Sequence, residues 1–98
     1  MQRFKVRLVG LASVPAFGVN GERVMEASFR IESPAGTTYE YAGSGMGAEF
    51  ADRCERMRQL AQLVEAPVPD TSDLEQWKET VVRRAMEQVA TSMQHESA

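Results

Sequence analysis

Two of the side chains most used in nucleophilic and metal chemistry occur once each in this chain of 98 residues, as Cys54 and His95. One cysteine closes no intramolecular disulfide, which points to a reducing, cytoplasmic setting. Cys54 falls on the apolar stripe of a helical pattern, and His95 lies in the last few residues, so a Cys–His pair is not expected. Metal binding is disfavoured on the same ground, because the carboxylates are scattered and show no ligand spacing. Ser33, Ser44 and Ser72 have no base within reach of their pattern. With no catalytic set, no cofactor motif and no metal site, the chain reads as a protein that is not an enzyme.

Positive charge is also in short supply. The net charge is −3 and the pI about 5.1, which argues against a nucleic-acid binder that relies on an overall positive field. Arginine outnumbers lysine nine to two, a bias read as high-GC coding and hence as bacterial or phage origin. No apolar run approaches transmembrane length. Residues 3–16 start basic and turn apolar like a leader, but Arg3, Lys5 and Arg7 alternate with Phe4, Val6 and Leu8, which is strand patterning. Internal repeats and low-complexity tracts are absent.

The first half of the chain carries period-two patterns. Phe4, Val6 and Leu8 share one face of a strand. Residues 10–18 are apolar but irregular, and Pro15 confines them to an edge strand or loop. Asn20–Gly21 is a hairpin signal. Met25, Ala27, Phe29 and Ile31 form the inward face of a second strand. Ser33-Pro34-Ala35-Gly36 is turn chemistry. Tyr39 and Tyr41 form the inward face of a third. On the outward face, Arg3, Lys5 and Arg7 are set to pair with Glu26, Glu32 and Glu40.

The second half changes to helical period. Phe50, Cys54, Met57, Ala61 and Val64 fall on one stripe, predicting a helix over 48–65 with Glu49–Arg53 and Asp52–Arg56 pairs on its wet side. Ala66-Pro67-Val68-Pro69 ends it, in a proline-rich turn over 66–71. Ser72-Asp73-Leu74-Glu75 reads as a capping box, opening a helix over 73–93 with a core stripe of Leu74, Trp77, Val81, Ala85 and Val89; residues 94–98 read as a frayed tail. The expected domain, 1–98, is α+β: an antiparallel meander of three or four strands over 2–42, a glycine loop over 43–47, then two helices packed on one face.

Two surfaces stand out. The second helix has a further apolar face of Val82, Met86, Ala90 and Met93, and methionine-rich faces make adaptable contact surfaces. With the basic strand face of Arg3, Lys5 and Arg7, it is the expected interface for another protein or for a homodimer. The leading expectation is a small interaction protein, an adaptor or an inhibitor, such as a phage or mobile-element product that acts on a host enzyme. The alternative is a small-molecule or anion site at the glycine loop, with Ser44, Gly45 and Gly47 as donors and Tyr41 nearby. Glu49 would repel a phosphate there, and no Lys-Ser or Lys-Thr follows as in a P-loop. A weaker alternative is nucleic-acid binding through Arg3, Lys5 and Arg7.

Overall fold

The computed structural model describes residues 1–15 and 23–97. In chain order it has strands β1 (Gln2–Pro15), β2 (Arg23–Glu32) and β3 (Thr38–Gly45), helix α1 (Gly47–Gln59), strand β4 (Gln62–Ala66), a 3₁₀ turn (Thr71–Asp73) and helix α2 (Leu74–Ser97). The class is the expected α+β. The four strands form one antiparallel sheet in the order β3-β2-β1-β4. Its core face carries Phe4, Val6, Leu8, Ala27, Phe29 and Ile31, and these pack with Cys54 and Met57 of α1 and with Trp77, Val81, Val82, Ala85 and Val89 of α2. Arg7, Glu26, Arg30 and Glu40 lie on the opposite, open face and are exposed.

The irregular stretch after Leu8 has a structural cause. Leu8 pairs with Phe29 and Gly10 with Ser28, so Val9 is an extra residue in β1. This bulge reverses the inward parity of the strand. Leu11, paired with Ala27, comes onto the core face in place of the even-numbered residues. β1 thus continues to Pro15, which pairs with Arg23. β4 pairs only with Gln2 to Val6 of β1, so the second half of β1 lies at an edge of the sheet, where a proline is tolerated. The Asn20–Gly21 turn signal lies outside the described residues. The turn between β2 and β3 follows its chemistry: the Ser33 and Gly36 amides donate to the Thr37 and Ser33 carbonyls, and Gly36 has φ +92°.

Three boundaries differ from the sequence reading. The first helix ends at Gln59, not at 65, and the fourth strand follows it instead of joining the meander. Val64 fits both periods. From Gln62 onward, however, burial alternates: Val64 and Ala66 are buried and Leu63 and Glu65 exposed. A five-residue strand is too short to announce itself against a helical stripe that already claims one of its core residues. Residues 43–45 form no loop, because Gly43, Ser44 and Gly45 pair with Ala27, Glu26 and Met25. Only Met46 separates strand from helix, and Gly47 (φ +90°) makes the turn. The second helix runs through the expected frayed tail to Ser97, and Arg56 of α1 bonds Glu96 near its end instead of Asp52.

The capping box also moves. Asp70, not Ser72, accepts from the Ser72 amide (3.1 Å) and from the Ser72 hydroxyl (3.0 Å). The chain then enters α2 through the 3₁₀ turn, and Glu75 pairs with Lys78 at 3.0 Å. Trp77 anchors this helix. Its ring meets Phe4 edge-on at 5.0 Å and Tyr39 at 5.2 Å, and its indole N–H donates to the Pro67 carbonyl at 2.8 Å.

Candidate functional site

The sheet's edges are finished in different ways. β4 has five residues, and the Arg84 guanidinium of α2 donates to the Glu65 carbonyl at 2.9 Å, so one outward acceptor is occupied. The second half of β1 carries the bulge at Val9 and ends on Pro15. Short strands, bulges and prolines all discourage another chain from adding to an edge. β3 has none of these. It is eight residues long, and among the described residues no hydrogen bond is made to its outer side. Its one charged residue, Glu40, is already held by Arg30 of β2, whose Nε donates at 2.9 Å.

Two glycines shape the end of this strand. A Cβ on Gly45 would lie 2.5 Å from the Phe50 ring, and one on Gly43 would lie 3.2 Å from the Tyr41 ring. The Phe50 ring therefore rests where a side chain on Gly45 would otherwise stand, and the Tyr41 ring lies close beside Gly43. Between them and α2 lies a cleft of about 300 Å³. Phe29, Tyr41, Phe50, Val82 and Met86 form its apolar floor, and Ser44, Arg53, Glu79 and Arg83 are its polar lining. Arg53 makes a long contact with Glu49 (3.9 Å). Arg83 is exposed and has no ion pair among the described residues. Burial raises the Tyr41 pKa, Glu79 and Glu75 raise it further, and Arg83 partly offsets them. The phenol therefore stays protonated near neutrality and remains a donor.

The cleft brings together residues from two separate expectations. Tyr41 and Ser44 come from the anticipated ligand site, and Val82 and Met86 from the anticipated interface. Gly45 and Gly47 do not line it; Gly45 sits under Phe50, and Gly47 makes the turn into α1. The glycines offer no cradle of amides, because the strand ladder occupies this stretch. Val82 is only 5% exposed and belongs to the core. Met86, Ala90 and Met93 are partly buried, Met86 and Met93 against that core. The second apolar face of α2 is thus largely spent within the chain. Arg53, Glu79 and Arg83 had no signal in the sequence, where each reads as part of a solvated helical face.

The basic strand face is less concentrated than its spacing suggested. Arg3 pairs with Glu65 of β4 at 3.3 Å. Lys5 stands opposite Glu32 and Leu63, and Arg7 opposite Arg30. Of the expected acidic partners only Glu40 is engaged, and by Arg30. The solvent-exposed Arg3–Glu65 pair adds little stability.

Cys54 is buried, and burial raises its thiol pKa to about 11, with Glu55 pushing the same way and Arg58 against. Burial and a raised pKa both disfavour the thiolate, the nucleophilic form. Among the described residues no cluster of His, Cys, Asp and Glu is arranged to hold a metal ion. No helix among them is long and apolar enough to cross a membrane. No protein-family model, curated protein or solved structure matches the chain.

Proposed function

We propose that this chain is a non-catalytic protein–protein interaction module, of the adaptor or inhibitor kind, that docks by strand addition at β3 in a reducing, cytoplasmic setting. The observation that supports this reading is the contrast between edges: β1 and β4 carry devices against pairing, and the eight-residue β3 carries none. Unpaired amides and carbonyls along such an edge template a new strand. A strand of this length spans about 26 Å, enough for a full ladder.

The occupant we assign is a second copy of the chain, paired β3 to β3 across a two-fold axis. Antiparallel self-pairing forms one continuous sheet and closes both open edges at once. It meets little like-charge repulsion, since Glu40 is the only charge on β3 and Arg30 holds it. The contact is a homodimer through the sheet and not through the second helix, whose Val82 is spent in the core.

Sedimentation of the wild type beside Ala42→Glu tests this. Ala42 is exposed on the open face. A glutamate there puts acid against acid in antiparallel registers centred near Glu40 to Ala42. A dimeric wild type and a monomeric Ala42→Glu variant are the expected results, with unchanged circular dichroism and with melting lowered only at concentrations where the wild type is dimeric. A wild type that stays monomeric throughout the accessible concentration range overturns the assignment, as does an Ala42→Glu variant that dimerises unchanged.

A further inference from the structure

We propose that the cleft between the end of β3, α1 and α2 binds a small organic acid, a carboxylate carried on a single ring or a branched apolar chain. This stands apart from strand pairing, because the cleft lies between the core face of β3 and the two helices, whereas pairing would use the outer main-chain groups of β3. A cavity of about 300 Å³ is at the small end of ligand sites and suits one ring or branched group.

The chemistry of the lining selects the class. The floor of Phe29, Phe50, Val82 and Met86 is apolar and needs an apolar body to cover it. Two arginines, Arg53 from α1 and Arg83 from α2, line the cleft with a single acidic residue, Glu79. A cationic ligand would thus meet two like charges for one partner. Arg83 makes no ion pair of its own among the described residues, so binding an anion there breaks none of its contacts. Guanidinium groups match the planar geometry of a carboxylate. The Tyr41 phenol, protonated near neutrality, is the neutral donor beside them. Inorganic phosphate suits the cleft poorly, because it would leave the apolar floor uncovered and finds no cradle of amides on β3.

Phenylacetate is the probe, with phenylacetamide and benzylamine as matched controls of the same ring, followed by calorimetry and by amide and methyl chemical shifts. Saturable binding of phenylacetate is expected, with shifts at Phe50, Met86, Arg53 and Arg83. Phenylacetamide and benzylamine should each bind at least about tenfold more weakly. Arg83→Gln and Arg53→Gln should each weaken phenylacetate about five- to tenfold with melting unchanged. Met86→Trp, which fills the cleft, should abolish binding, and Ala42→Glu should leave it intact. Equal affinity for acid and amide overturns the proposal. So does the absence of saturable binding, insensitivity to both arginine substitutions, or loss of binding in a folded Ala42→Glu variant.

Discussion

The two outermost strands of this sheet, β3 and β4, face the same physical problem and meet it differently. β4 is short, and α2 lies against it, with Arg84 bonded to the Glu65 carbonyl and Trp77 to the Pro67 carbonyl just beyond. β3 is longer and is supported only from its inner face, by Tyr39 against Trp77 and by Phe50 on Gly45. An open edge is an aggregation hazard, and the strand pairing proposed at β3 would cover the edge that is left open while its counterpart is finished. Trp77 reaches both sides, with its ring against Tyr39 of β3 and its indole N–H on the Pro67 carbonyl beyond β4.

Trp77→Ala should have the largest effect. It leaves a cavity among Phe4, Tyr39 and Val81 and orphans the Pro67 carbonyl, costing about 3–5 kcal/mol in denaturant unfolding. Trp77→Phe separates the two sides. It keeps a ring between Phe4 and Tyr39 but removes the indole donor, so about 1 kcal/mol should be lost, felt at the β4 side. Equal hydrogen-exchange losses along β3 and β4 in Trp77→Phe would show that the edges are not held independently. Gly45→Ala comes next and acts on the β3 side of the comparison. Its Cβ would lie 2.5 Å from the Phe50 ring, so Phe50 must move, at about 1–3 kcal/mol of overpacking. The same displacement should disturb the cleft wall, visible as altered Phe50 and Met86 shifts. A Gly45→Ala variant with wild-type stability and spectra would show that the ring does not depend on the glycine.

How much of this was legible beforehand follows from how each feature is written in the chain. Tyr39 and Tyr41 alternate cleanly, and so do Met25 to Ile31; a strand with one buried face leaves that mark whatever its neighbours do. Val64 left no such mark. It satisfies a helical stripe with Met57 and a strand with Ala66, and only the pairing partner, Phe4, decides between them. The glycines at 43 and 45 read as loop because their strand role depends on Tyr41, whose ring packs closely beside Gly43, and on Phe50, whose ring takes the place of a side chain at 45. The cleft is less legible still. Arg53 and Arg83 are thirty positions apart on different helices, and only the packing of α1 and α2 brings them to one rim. The arginine at 84 carries no pattern that distinguishes it from its neighbour at 83, yet one caps an edge and the other lines a cleft.

That neighbouring pair supplies a smaller test. Arg84→Ala removes the guanidinium from the Glu65 carbonyl, at about 1 kcal/mol or less, since water can take over the acceptor. Its more telling consequence is at the edge. With Arg84 gone, β4 loses one of its devices against pairing, and self-association should increase at high concentration even in the Ala42→Glu background. Arg83→Ala should leave both stability and association unchanged. Identical sedimentation of the two alanine variants would mean that the Arg84 contact does not protect the edge.

The smallest effect belongs to Asp70, which sets the start of α2 and so the seat of Trp77 against both strands. Its carboxylate accepts from the Ser72 amide and, second, from the Ser72 hydroxyl, and these bonds hold its pKa below the ordinary carboxylate value. A carboxyl with a depressed folded-state pKa contributes stability that is present above its unfolded value and is lost as pH falls through the folded one. Asp70→Asn should therefore melt slightly below the wild type near neutrality. The gap should narrow only when the pH passes below the ordinary carboxylate range, where the wild-type side chain takes up its proton. The group is fully exposed, so solvent screens the effect and keeps it the least of the series. Melting curves of the pair between neutral pH and strong acid decide the matter: a gap that stays constant with pH would assign the cap to the shape of the side chain and not to its charge.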